Sequence, residues 1–322
     1  MKSIFPPFNF SEIFYEPWMS KDDIIWNSEI ILMGFLISFS CGLIGTFLVL
    51  RKLALMGDAI SHSILPGIVL AIIAFQSTAL IPMFLGACIA GLACSFCIEW
   101  LQRKTHLKPD AALGLTFTSF FALGILLISQ MGHHVHIDAE CLLYGEIGMT
   151  PLAENIKIGS INFGPRPIFA MLAITIVLIL LIIIFYKQLV ITSFDEILSN
   201  SIGIPVKTIH YALMFALAIT IVSALESVGV ILVVAMLVFP STTASLFSTR
   251  LPVILFSTFP LALLYSIGGF FFARWMDCSI AGAMASVAFV SFLAIWLISN
   301  KSFIQPIYEI LAKNLGQKKA PN

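Results

Sequence analysis

The chain has 322 residues, 59% of them hydrophobic and only 11% charged, with Lys plus Arg and Asp plus Glu balanced at 17 each. A mean hydropathy of +1.03 lies beyond the usual range of water-soluble domains, and the absence of net charge removes any argument for a nucleic-acid partner. The composition points to an all-α, polytopic integral membrane bundle whose main solvent is the lipid bilayer.

The first 27 residues lack a basic stretch followed by an apolar run and a small-residue cleavage site, so no cleaved signal peptide is expected. A bilayer core of about 30 Å takes about 20 apolar residues per helix. On that length, spans fall near residues 28–50, 53–75, 78–101, 110–131, 168–186, 208–225, 228–247, 252–272 and 280–299. Only Glu226 and Ser227 separate the sixth from the seventh, which leaves eight full spans plus a re-entrant piece as the alternative. The expected organisation is an external amino-terminal segment (1–27), a transmembrane domain (28–300) and a cytoplasmic tail (301–322).

Basic residues set the orientation. With the amino terminus outside, 12 Lys and Arg face the cytoplasm, among them Arg51, Arg103, Lys104, Lys207 and Arg250, and 5 face outward.

The segment R-K-L-A-L-M-G-D-A-I-S-H-S-I-L-P-G, residues 51–67, places ionisable groups in an otherwise apolar span. Asp58 and His62 are four apart, so a helix brings carboxylate and imidazole onto one face. An aspartate at mid-membrane costs about 2.5 to 3.5 kcal/mol on insertion scales, which calls for a partner or a polar cavity. Oxygen with imidazole nitrogen suits manganese, iron(II) or zinc better than copper(I), and two ligands hold an ion loosely enough for transport. Pro66 and Gly67 are expected to break the helix and free backbone carbonyls. On residue types alone, a hydrogen-bonded pair that merely stabilises the bundle remains an equal reading. Glu226, a second acid within apolar sequence, reads as a helix-end or interhelical partner.

The external stretch 132–167 begins with His133, His134, His136 and Asp138, either a metal-collecting mouth or an exposed polar loop. A cytoplasmic stretch, residues 187–207, allows a short amphipathic helix from Phe194 to Ile202, stopped by Gly203 and Pro205. Cys41, Cys88, Cys94 and Cys97 lie in apolar runs and read as packing residues, the C-x-x-C of Cys94 and Cys97 included. There is no Walker loop, H-E-x-x-H or G-x-S-x-G, so the chain has no ATP cradle of its own and no familiar hydrolytic constellation.

The run L-V-L-R-K-L-A-L-M-G-D-A-I-S-H-S-I-L-P-G strongly resembles the signature of the permease family of ATP-binding-cassette importers for manganese, zinc and iron. Supporting similarities are L-L-Y-G-E-I at 142–147, T-S-F-D-E-I-L-S-N-S-I-G-I-P at 192–205 and V-G-V-I-L-V-V-A-M-L-V-F-P at 228–240. Two residues depart from the pattern: Glu146 stands where the family has Asp, and Glu226 precedes the late Val-Gly where a neutral residue is usual.

The resemblance implies a type II-like importer permease of the bacterial cytoplasmic (inner) membrane, with Asp58 and His62 coordinating the ion in its path. It also implies that Phe194, Asp195, Glu196 and Gly203 dock and couple an ATP-binding subunit. A second permease copy or paralogue and an external or periplasmic metal-binding protein complete the implied assembly. No cofactor is permanently bound, the metal ion being cargo, and the chain is not itself an enzyme. The rival is a secondary metal transporter or channel that works without an ATPase.

Overall fold

The computed structural model describes residues 9–77, 80–105, 107–131, 147–158 and 161–299. A short amino-terminal helix, α1 (Phe10–Phe14), precedes the long α2 (Lys21–Leu50), α3 (Met56–Phe75), α4 (Leu80–Lys104) and α5 (Pro109–Met131). A two-stranded antiparallel hairpin, β1 (Asn155–Ile158) and β2 (Ile161–Pro165), leads into α6 (Arg166–Ile184). Then come α7 (Tyr186–Phe194), α8 (Glu196–Ser201), α9 (Val206–Phe247), α10 (Leu251–Met276) and α11 (Ile280–Ser299).

Among the described residues, 9 helices are long and apolar enough to cross a bilayer, and each overlaps a span expected from the sequence. The sixth and seventh lie end to end in α9, whose 42 residues would measure about 63 Å if straight, twice the membrane core. Gly229 resolves this: its φ of 75° and ψ of 167° interrupt the helix between two stretches of about 20 residues. The punctuation is therefore the glycine of V-G-V, not the polar pair Glu226-Ser227 before it.

Contacts sort the helix ends into two groups, as alternating spans require. At one end, Arg51 just after α2 donates hydrogen bonds to Thr192 Oγ1 (2.8 Å) and Ser193 Oγ (3.1 Å) at the end of α7. At the same end, Glu99 near the end of α4 meets His210 near the start of α9. At the other end, Phe14 of α1 stacks on Phe271 late in α10, and Ser266 of α10 donates to the Ile31 carbonyl early in α2. The first end carries the excess of basic residues, the bias expected of a cytoplasmic end.

Small residues let the backbones meet. A Cβ at Gly45 of α2 would collide with the Leu237 carbonyl of α9, and Gly67 of α3 and Gly86 of α4 face each other so closely that a Cβ on either would strike the other's carbonyl oxygen. The expected helix break at Pro66 and Gly67 is absent, because α3 runs unbroken from Met56 to Phe75. Gly67 serves close packing, while Pro66, lacking an N–H, still leaves the His62 carbonyl without its ladder partner.

The short helix near Phe194 also differs from the expected 194–202. Phe194 closes α7, and Asp195 is the N-cap of the six-residue α8, its Oδ1 accepting from the Leu198 N–H at 2.9 Å. Gly203, at φ 84°, ends this element, as the sequence suggests.

Candidate functional site

From Met56 through Gly67, every residue of α3 is buried except Asp58 and His62. Over this stretch the helix thus opens only where its ionisable groups stand. His62 Nε2 lies 3.3 Å from Asp58 Oδ1, with the two side chains 25% and 38% exposed. Asp58 occupies the first turn of α3 rather than its middle, where the helix dipole favours a carboxylate and offsets part of its desolvation.

The platform beneath the pair is rigid. Gly57 lets Leu237 of α9 close against α3, Ile60 and Ile64 are fully enclosed, and Ser63 donates to the Ala59 carbonyl at 2.6 Å. Cys94 of α4, buried with its sulfur 2.9 Å from the Ser63 hydroxyl, packs there as expected of a small core residue. Across the open face, α5 offers Phe117, tilted at 5.8 Å between ring centroids, and Phe121, edge-on at 5.5 Å to the imidazole. These rings limit the rotation of His62 and were not singled out from sequence.

Among the described residues, no group of three or more His, Cys, Asp and Glu comes together. Two donors alone would leave the coordination shell of a metal ion unfilled. His133, His134, His136 and Asp138 lie outside the described residues, as does most of L-L-Y-G-E-I. The side chains of Glu196 and Glu226 are likewise outside the description.

At the basic end, Phe194, Ile197, Leu198 and Ile202 are exposed at 63, 81, 48 and 60%. Such an apolar patch on a short helix beyond the spans fits a protein contact. Arg51 ties the adjoining end of α7 to the end of α2, five residues before Met56 and the start of α3.

A second carboxylate–imidazole pair was missed. Glu99 Oε1 lies 3.4 Å from His210 Nε2, Glu99 Oε2 accepts the Tyr211 hydroxyl at 2.5 Å, and Arg103 approaches the same oxygen at 3.6 Å. The signal was present: Glu99 and His210 are ionisable residues inside sequences assigned as spans.

Residues 24–299 match the ABC 3 transport family. The chain belongs to that family. It is 41% identical over 270 residues to the manganese transport system membrane protein MntD of Bacillus subtilis, covering 84% of this chain and 91% of MntD. It is also 41% identical over 273 residues to the zinc transport system membrane protein TroD of Treponema pallidum, covering 85% of this chain and 74% of TroD. The solved structure of PsaBC from Streptococcus pneumoniae in complex with Fab superposes with a TM-score of 0.73 at 31% identity, covering 91% of this chain and 97% of that one. The chain is therefore a multi-pass membrane permease of an ABC transport system, not itself an ATPase, and the reading as a secondary transporter or channel finds no support.

Proposed function

We propose that this permease carries divalent transition-metal ions inward, with manganese and zinc the first candidates because the similar MntD and TroD are named for them. The observation that carries the reading is that, between Met56 and Gly67, α3 opens at Asp58 and His62 alone, an oxygen and a nitrogen donor 3.3 Å apart with coordination to spare. The ion is held there transiently. A second copy or paralogue facing this one across a shared path supplies further donors, and an external metal-binding protein delivers the ion.

ATP is hydrolysed on a separate subunit docked on the apolar surface of Phe194, Ile197 and Ile202, with Asp195 and Glu196 at the start of α8 and Gly203 at its end. Movement of α7 and α8 reaches α3 through Arg51, whose guanidinium grips the hydroxyls of Thr192 and Ser193. The amino terminus faces outside and the 301–322 tail faces the cytoplasm, by the charge bias.

The test is uptake of manganese, iron(II) and zinc into liposomes holding the permease with its ATP-binding and metal-binding partners, with and without ATP. ATP-dependent uptake that Asp58→Ala with His62→Ala reduces about 100-fold or more, while assembly is kept, supports the reading and identifies the metal. Undiminished uptake in that variant removes the pair from the path. Uptake by the permease alone without ATP overturns the importer assignment.

A further inference from the structure

A cavity of about 420 Å³ opens at the basic end of the bundle, bordered by the ends of α2, α4 and α7 and the starts of α3 and α9. Its lining includes Arg51, Arg103 and Lys207, and its single carboxylate among the described residues is Glu99. That carboxylate is already engaged by Tyr211, His210 and Arg103. Two of the cations are accessible: the Arg103 side chain is 56% exposed, and Lys207 is exposed at the start of α9. The lining is thus built for an anion and not for a second metal ion.

The surface leading to this cavity narrows the choice. On α4, Phe96 and Trp100 are 56% and 53% exposed, and with Arg103 they follow at spacings of four and three, one stripe on the helix. A single leaflet of hydrocarbon is about 15 Å deep, or about ten helical residues, which reaches from Arg103 back past Phe96. Trp100 sits one turn from the end of this track, where an indole marks the headgroup level. A ligand matched to both parts has an acyl chain and an anionic head.

We propose that this cavity binds the phosphate of an anionic phospholipid of the cytoplasmic leaflet, with Arg103 and Lys207 at the phosphate and an acyl chain along Phe96 and Trp100. Thr192, Ser193 and Phe194 line the same cavity, so the lipid touches the region that joins α7 to α8. Inorganic phosphate or an acidic side chain from a partner would answer the charge but leave the apolar stripe unused.

The experiment is native mass spectrometry of the full-length chain in detergent, titrated with phosphatidylglycerol or phosphatidylcholine. The wild type is expected to retain phosphatidylglycerol at collision energies that strip phosphatidylcholine. Arg103→Gln and Lys207→Gln each lower phosphatidylglycerol occupancy about fivefold. Lys104→Gln, exposed but on another face of α4 and outside the cavity, leaves it unchanged.

Equal retention of the two lipids, or equal loss in Lys104→Gln, overturns the proposal, as does displacement of the lipid by millimolar inorganic phosphate. If Arg103→Gln and Lys207→Gln keep the lipid but lose a co-expressed ATP-binding subunit, the cavity receives a partner's acidic side chain instead. Arg103→Lys, which keeps the charge and the fold, restores binding if charge is what the site reads. No metal and no transport enters the readout, so failure here leaves the importer reading intact.

Discussion

Two carboxylate–imidazole pairs lie toward the basic end of this bundle, with nearly the same gap between partners: 3.3 Å for Asp58 and His62, 3.4 Å for Glu99 and His210. Their surroundings differ. The first pair belongs to one helix, is 38% and 25% exposed, and among the described residues His62 is the polar side-chain partner of Asp58. The second joins α4 to α9, is 21% and 14% exposed, and its carboxylate also receives Tyr211 and Arg103. Residue type therefore does not separate the two pairs, whereas how far neighbours saturate each carboxylate does. A carboxylate shared among several side chains suits holding helices together, and one with acceptor capacity left suits the transient cargo site proposed for Asp58.

The largest effect is expected where the two pairs share a foundation. Gly67 of α3 and Gly86 of α4 bring the two helices into backbone contact, and a Cβ at Gly86 would strike the Gly67 carbonyl and the Ala71 side chain. Gly86→Val is expected to cost about 3 kcal/mol and to disturb both pairs, read as a lower melting temperature in detergent together with lost uptake. An unchanged melting curve would mean that the two helices are free to separate, and that α3 is not the fixed platform described above.

Next come substitutions that separate the pairs. Glu99→Ala leaves the Tyr211 hydroxyl without this acceptor and takes the neighbouring carboxylate from His210 and Arg103, and is expected to cost about 2 kcal/mol. Asp58→Ala removes a half-exposed group and is expected to shift stability by no more than about 0.5 kcal/mol while suppressing transport. The opposite pattern, a destabilised Asp58→Ala beside a stable Glu99→Ala, would exchange the two roles. A smaller effect tests the saturation itself: Tyr211→Phe is expected to cost about 1 kcal/mol, and most of that cost should vanish in an Glu99→Ala background.

The sequence made most of the membrane architecture legible because a span is a long, one-dimensional signal: about 20 apolar residues between basic flanks. Asp58 and His62 were legible because their spacing lies within a single helix turn. Glu99 and His210 are 111 positions apart in the chain, and their meeting is decided by how α4 packs on α9. No local pattern records such a contact. Phe117 and Phe121 were invisible for a similar reason, since aromatic residues in a span look alike until packing chooses which of them face a histidine. Pro66 and Gly67 misled in the other direction. Punctuation that would end a helix in water is absorbed within a bundle, where α4 packs into the space left by the missing side chain of Gly67.

The last prediction costs no stability and fixes which side of the membrane the saturated pair faces. Cys278 lies exposed between α10 and α11, at the far end of α10 from Arg250 and the basic face. Partial burial, and then the neighbouring Asp277 carboxylate, raise its thiol above the ordinary cysteine value. The thiolate is the reactive form, so little of it exists at neutral pH, and modification should quicken about tenfold per pH unit below that raised value. In intact cells carrying Cys141→Ser, which removes the cysteine of the 132–167 stretch, a membrane-impermeant maleimide is expected to modify Cys278 from outside, slowly at pH 7 and faster at pH 8, with Cys278→Ser as the blank. Modification from outside puts Glu99, His210 and the basic cavity at the cytoplasmic surface, within reach of inner-leaflet lipid and the α7–α8 region. Modification only after the cells are opened would invert the bundle, turn the basic end outward against the charge bias, and remove the ground for both the docking surface and the lipid site.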